Sequence, residues 1–212
     1  MKTDGIKKRI ECGNNLADKV AGYLNLRLQA QLNKASIVED KELMIDYKCN
    51  KSKKTAQIKC RENQSDIIYE AKKFYLEGNC LKEIDGRDVR TKAFLYVCLT
   101  ADKKKIIITE TQEIKKIVHE EIEKLKIELC QVKEYEHECK ALNNKAKKLS
   151  ANKFGIQVWF KVDEGTDTKK YSKLLVFIPY QAVSNCFILN LKNYENIDDP
   201  TTWKKTQKGG TL

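Results

Sequence analysis

The sequence predicts an α+β fold, on three observations. Strand-like apolar runs gather on both sides of a long charged helical stretch instead of alternating with helices as a parallel sheet requires. An amphipathic helix precedes the first of those runs. The 212 residues are 41% hydrophobic and 33% charged, enough apolar material for a core beneath a heavily charged surface. Two prolines and nine glycines exclude collagen-like and linker-rich chains, and the hydrophobic fraction excludes a disordered one.

From about Asn15 to Leu32, the residues Leu16, Val20, Leu24 and Leu28 recur every four positions, one face of a helix capped by Asn14 or Asn15. Three short strands are expected next, Glu42–Lys48, Thr55–Cys60 and Asp66–Ala71, the first two joined by the polar turn CNKSKK. Asp85-Gly86 marks a turn in a less regular stretch over 72–92. Phe94–Leu99 reads as a buried strand, and Ile106–Thr109 follows the lysine-rich turn at 102–105. A helix free of Gly and Pro is then expected from Gln112 to Ser150. Val118, Leu125, Val132, Cys139 and Ala146 repeat along it every seven residues, with Ile122 and Leu129 between them. That repeat fits a coiled-coil-like arm or a helical hairpin. Glu136 and Asn143 interrupt the seam and favour intramolecular packing over a full-length dimeric coiled coil, with a homodimer as the alternative. The rest reads as β structure at Ile156–Val162, Lys173–Pro179 and Cys186–Leu191. The expected organisation is a core over 1–110, a helical arm over 111–152, a β group over 153–195 packed on the core, and a loose tail over 196–212.

Charge and residue counts narrow the chemistry. The formal net charge of +11 points to a polyanionic partner, nucleic acid being the commonest. Only Arg9, Arg27, Arg61, Arg87 and Arg90 are arginine, so a lysine-rich coding bias is the bland source of the same excess. The eight cysteines contain no CxxC pair. Cys60, Cys98 and Cys186 sit in apolar strand runs, where a reduced thiol acts as a small hydrophobe. His137, Cys139 and Cys130 form the one metal-like group, but neighbours two apart on a helix diverge, so no structural zinc is expected. Both histidines lie in the charged helix, away from any serine nucleophile, and no glycine-rich phosphate loop is present. No apolar stretch approaches the ~18–20 residues of a membrane span. MKTDGIKKRIECG lacks the apolar core of a secretory signal, so an intracellular location, cytoplasmic or nuclear, is expected.

One strand carries a candidate site. In Thr55–Arg61 alternate residues share a face. Ala56, Ile58 and Cys60 point to a core, and Gln57, Lys59 and Arg61 point away from it. A hairpin brings Asp46 alongside Gln57. A carboxylate and an amide oxygen suit a hard cation such as Mg²⁺, with Mn²⁺ as a substitute. A lysine beside them can orient an attacking water and stabilise phosphate charge. The alternative is an ordinary solvated strand face. Acid-or-Gln, any residue, then Lys recurs along this chain, and Glu70-x-Lys72 at a strand end is the serious rival. Arg61 is a candidate phosphate contact, and Arg87, Arg90 and Lys92 are candidates to grip a DNA backbone. Trp159, Phe160, Tyr171, Phe177 and Tyr180 are expected mainly in the core of the C-terminal sheet, a base-stacking platform being the alternative.

Asp46, a hairpin, and Gln57-x-Lys59 on a strand resemble the PD-(D/E)xK nuclease superfamily over roughly residues 10–110. The resemblance implies a restriction-endonuclease-like core of a helix, a three-strand meander and further strands. It implies a Mg²⁺-dependent deoxyribonuclease, endonuclease rather than exonuclease, of restriction, repair or recombination type. Carried over, Asp46 and Gln57 are metal ligands and Lys59 is the catalytic lysine. Some members add an acid from the first helix, for which Asp18 and Glu11 are candidates, and Glu70 is a further auxiliary acid. The chain departs from the pattern in having no proline before Asp46 and Gln57 in place of an acid. The alternative function is a non-catalytic nucleic-acid-binding or assembly protein that pairs through the long helix.

Overall fold

The first helix, α1 (Lys2–Leu28), carries the expected apolar stripe but begins earlier than its sequence pattern, and Val20 and Leu24 on that stripe are wholly buried. The structure is a computed structural model that describes residues 2–60, 67–77, 80–142, 145–163, 171–193 and 195–203. After α1 come β1 (Leu32–Lys34), a π-helical turn at Glu39–Leu43, β2 (Tyr47–Cys49), β3 (Thr55–Cys60), β4 (Ile67–Glu77) and β5 (Cys80–Asp85). They are followed by β6 (Leu95–Leu99), β7 (Lys105–Glu110), α2 (Thr111–Leu125), α3 (Leu129–Ala141) and β8 (Ala146–Ala151). The last strands are β9 (Gln157–Asp163), β10 (Tyr171–Ile178) and β11 (Cys186–Asn190). Two sheets and these helices make an α+β chain. Among the described residues no helix is long and apolar enough to cross a membrane.

The chain divides into two interleaved units. The first comprises Met1–Ser65, Thr91–Gln112 and Asn185–Leu212 and holds a six-stranded sheet in the order β1-β2-β3-β6-β7-β11. β1, β2 and β3 form an antiparallel meander, β6 runs parallel to β3, and β7 and β11 continue antiparallel. The apolar stripe of α1 covers one face, against Tyr47, Ala56, Ile58, Val97 and Ile108. The segment after β11 closes this core. Ile197 is wholly buried, and the Trp203 ring meets Tyr23 edge-on at 5.4 Å. Residues 196–203 are therefore packed structure and not the expected loose tail, because one aliphatic and one aromatic side chain find apolar partners on α1. Positions 204–212 lie outside the described residues.

The second unit comprises Asp66–Arg90 and Glu113–Ser184, around a wholly antiparallel sheet in the order β5-β4-β10-β9-β8. α3 packs on one face, where Val132 and Cys139 meet Phe74, Phe160 and Leu174. Gly86 is required where β5 ends, because a Cβ there would come within 2.0 Å of the Glu70 carbonyl oxygen.

Three expectations change. The third strand expected in the meander, Asp66–Ala71, is β4 of the other sheet, and its place is taken by β1. The expected core over 1–110 is accordingly split between the units. The cause is non-local: β4 finds a longer partner in β10 than it could in β3. The expected strand at Glu42–Lys48 is mostly a turn, held by hydrogen bonds from Lys92 N–H to Leu43 O at 2.8 Å and from Thr91 Oγ1 to Met44 O at 2.8 Å. The expected helix over Gln112–Ser150 is two helices and a strand. Lys126 takes a left-handed φ of 45°, and the Glu128 N–H donates to Gln131 Oε1 at 3.0 Å to start α3. A strict seven-residue repeat drifts around a straight helix by about 20° per heptad. The break lets Ile122, Val132 and Cys139 pack into one cluster, while Leu129 stays 43% exposed. Ala146–Ala151 pairs with β9, since available ladder partners outweigh its helical pattern.

Candidate functional site

β3 reads TAQIKC, and its alternation sends Ala56 and Ile58 into the α1 core as expected. The ladder to β2 holds only two residue pairs, Tyr47 with Ala56 and Lys48 with Thr55. Beyond it the N–H of Ile58 needs another acceptor, and the Asp46 carboxylate supplies it, its Oδ2 accepting from Ile58 N–H at 2.8 Å. Asp46 N–H donates in turn to Ala56 O at 3.0 Å. The carboxylate therefore stands at the edge of β3, on the peptide between Gln57 and Lys59. Met44, with a left-handed φ of 54°, bends the chain into this position.

Gln57 differs from its expected surroundings. It is fully buried, at 0% exposure, and both Oε1 and Nε2 lack a hydrogen-bond partner among the described residues. An exposed polar face was expected. β3 instead lies inside a six-stranded sheet, opposite Tyr96 of β6, which is itself wholly buried. Leaving a buried amide unsatisfied costs on the order of 1–3 kcal/mol. Lys59 is half-buried and lies across from Cys98.

Asp18 is bound up on the α1 side. Its Oδ1 accepts from the Tyr47 hydroxyl at 2.5 Å and its Oδ2 meets Lys34 Nζ at 2.7 Å, tying α1 to β1 and β2. Burial pushes the Tyr47 phenol well above its ordinary pKa, and the charges of Asp18 and Asp46 push it the same way. Tyr47 thus lies within electrostatic reach of both acids. Sequence reading missed this role; the signal was a tyrosine directly after Asp46. Burial and the Asp46 charge also push the Cys60 thiol up to about 12, against a smaller opposing effect of Lys103. Glu11 is exposed on α1.

The remaining candidates do not join this group. Arg61 lies outside the described residues. Lys92 is exposed, and its backbone pins the turn before Asp46. Glu70, Arg87 and Arg90 belong to the second unit, where Arg87 and Arg90 are exposed. Glu70 Oε1 accepts from Arg87 N–H at 3.0 Å and its Oε2 lies 3.3 Å from Lys173 Nζ. Burial alone would raise the Glu70 pKa, but the Arg87 N–H and the charges of Lys173 and Lys73 outweigh it and hold the carboxyl below its ordinary value.

Among the described residues no three His, Cys, Asp or Glu side chains converge as a metal-binding group. Asp46 and Gln57 form a different donor set, one carboxylate and one unsatisfied amide oxygen at neighbouring positions. Those are the oxygen ligands a hard cation takes, so the residues fit Mg²⁺ in donor chemistry. No protein family, curated protein or solved structure matches the chain.

Proposed function

We propose that the chain is a Mg²⁺-dependent DNA nuclease of the PD-(D/E)xK type, built on the restriction-endonuclease-like arrangement of α1, the β1–β3 meander and β6. The observation that carries this reading is the Asp46 carboxylate on the Ile58 N–H, which sets an acid beside Gln57 and Lys59. The unsatisfied Gln57 amide supports it, because a cation would give the orphaned oxygen a partner. Asp46 and Gln57 would hold the metal, which would supply charge stabilisation at a phosphate. Lys59 would orient the attacking water or neutralise developing charge. The connection between β3 and β6 departs from the family, since its described part is a β hairpin of the other sheet where the family has a helix.

The test is nicking of supercoiled plasmid across a Mg²⁺ titration. Asp46→Asn and Lys59→Ala should abolish nicking while leaving DNA binding intact. Gln57→Glu buries a carboxylate in place of a neutral amide, so it should destabilise metal-free protein, and added Mg²⁺ should restore the melting temperature by linkage. A Gln57→Glu protein whose melting does not respond to Mg²⁺ rejects Gln57 as a ligand. The full burial of Gln57 favours a second reading, a nucleic-acid-binding protein without catalysis. That reading expects wild-type protein to bind DNA and to leave plasmid intact at every Mg²⁺ concentration.

A further inference from the structure

The sheet of the second unit has two unlike faces. One is the apolar face under α3. On the other, strand alternation and register bring together residues from all five strands. β10 contributes Tyr171, Lys173, Leu175 and Phe177, and Lys161 and Trp159 of β9 lie opposite Lys173 and Leu175. β4 contributes Lys73 and Tyr75, and β5 contributes Lys82 opposite Tyr75. The register shift in the β4–β10 ladder leaves Ala71 unpaired and so turns Glu70 to the same side as Lys73. Lys148 of β8 lies opposite Trp159.

Side-chain contacts bear out this common face. Lys73 Nζ and Lys173 Nζ lie 5.0 and 5.3 Å from the Tyr171 ring centroid, and Lys148 Nζ lies 5.8 Å from that of Trp159. Trp159 and Phe177 meet edge-on at 6.1 Å. Trp159, Tyr171, Phe177 and Tyr180 are half-buried, as is Tyr75, so the expectation that the C-terminal aromatics are mainly core holds for Phe160 but not for the other four. Among the described side chains, five lysines face two acids here. Glu70 is engaged by Lys73 and Lys173, and Glu77 stands at the rim, 3.9 Å from Lys82.

We propose that this lysine-and-aromatic face of the five-stranded sheet binds single-stranded DNA, bases stacking on Trp159 and Tyr171 and phosphates meeting the lysines. The charge excess selects a polyanion. The aromatic rings interleaved with those charges select one that has flat apolar groups between its phosphates. Base–aromatic stacking tolerates any sequence because every base has a flat π-face, and a sheet face presents rings to unpaired bases where a duplex would bury them. The choice of DNA over RNA rests on the proposed function. Binding is read in EDTA without cleavage, so failure of this site and failure of the nuclease reading are separate results.

The test is fluorescence anisotropy of a labelled oligo(dT) of about 16 nucleotides with the full chain in EDTA. Lys82 and Lys148 are exposed, so K82E/K148E should keep the wild-type melting temperature. It should bind at least about tenfold more weakly, with a salt slope shallower by about 1.4, from ~0.7 per lost contact. The control is K133E/K140E, the same charge change on exposed positions of α3 beyond the opposite face. It should stay within about twofold of wild type. In W203F protein, which leaves Trp159 the remaining tryptophan, oligo(dT) should quench the emission. The proposal is overturned by equal losses in the two double variants, by unchanged Trp159 emission on binding, or by the absence of wild-type binding at low salt. Tighter binding of duplex or of oligo(U), or equal displacement by poly-glutamate, overturns it as well.

Discussion

The two sheets treat the same sequence pattern in opposite ways. In β3, Gln57-x-Lys59 alternates with Ala56, Ile58 and Cys60, and in β10, Tyr171-x-Lys173 alternates with the buried Ser172 and Leu174. Gln57 ends wholly buried without a hydrogen-bond partner among the described residues, whereas Tyr171 and Lys173 lie on a half-exposed face with cation–ring and ion-pair contacts. The difference lies in their surroundings and not in the local pattern. An alternating strand reveals that its faces differ, and not which of them water reaches. Two ion pairs make a similar contrast. The first unit buries Arg27 against Glu195 at 3.5 Å, with Tyr23 Oη donating to Glu195 Oε2 at 2.8 Å. The second unit has pairs such as Lys82–Glu77, with side chains 51% and 67% exposed.

The largest expected effect breaks that contrast in ion pairing. Glu195→Ala removes a buried carboxylate that pairs with Arg27 and accepts from the Tyr23 hydroxyl, and should cost about 3–5 kcal/mol in urea unfolding. Glu77→Ala should cost less than about 1 kcal/mol. Similar losses in the two variants would remove the distinction between buried and exposed pairing. Next in size is Gln57→Leu, which replaces an unsatisfied amide by an apolar group of similar volume. In metal-free protein it should raise stability by roughly 1–3 kcal/mol, and on the nuclease reading it abolishes nicking. A destabilised Gln57→Leu protein would mean that the amide has a partner in solution.

A smaller effect concerns acid. Because Glu70 has a folded-state pKa below its ordinary value, its stabilising contribution is present above the unfolded pKa of about 4.3 and is lost as pH falls through the lower folded value. Glu70→Gln should therefore flatten the fall in stability below about pH 4.3 while leaving the alkaline side unchanged, as read by thermal melting across pH. The smallest effect reports on Asp46. With its pKa pushed up to about 12, Cys60 should react with iodoacetamide far more slowly at pH 8 than the exposed Cys12, Cys80 and Cys130. Asp46→Asn removes a negative charge, lowers the thiol pKa and should quicken Cys60 labelling modestly, since burial is the larger cause. Unchanged labelling would move Asp46 away from β3.

Much of this was legible in the chain. The four-residue spacing of Leu16, Val20, Leu24 and Leu28 marked α1. The runs at 55–60, 94–99 and 106–109, with those at 156–162, 173–179 and 186–191, marked strands, because periodicity is set by neighbours in sequence. The pattern also singled out Asp46, Gln57 and Lys59 as residues brought near one another by a hairpin. Tertiary structure alone decided that β4 leaves the meander for β10, that the long helix breaks at Lys126, and that Gln57 is covered. It also gathered Lys73, Lys148, Trp159 and Tyr171, scattered through the sequence, on one sheet face. The physical reason is that a strand's period depends on its own residues, whereas its sheet, its partners and its access to water depend on hydrogen bonds and packing with segments far away in the chain.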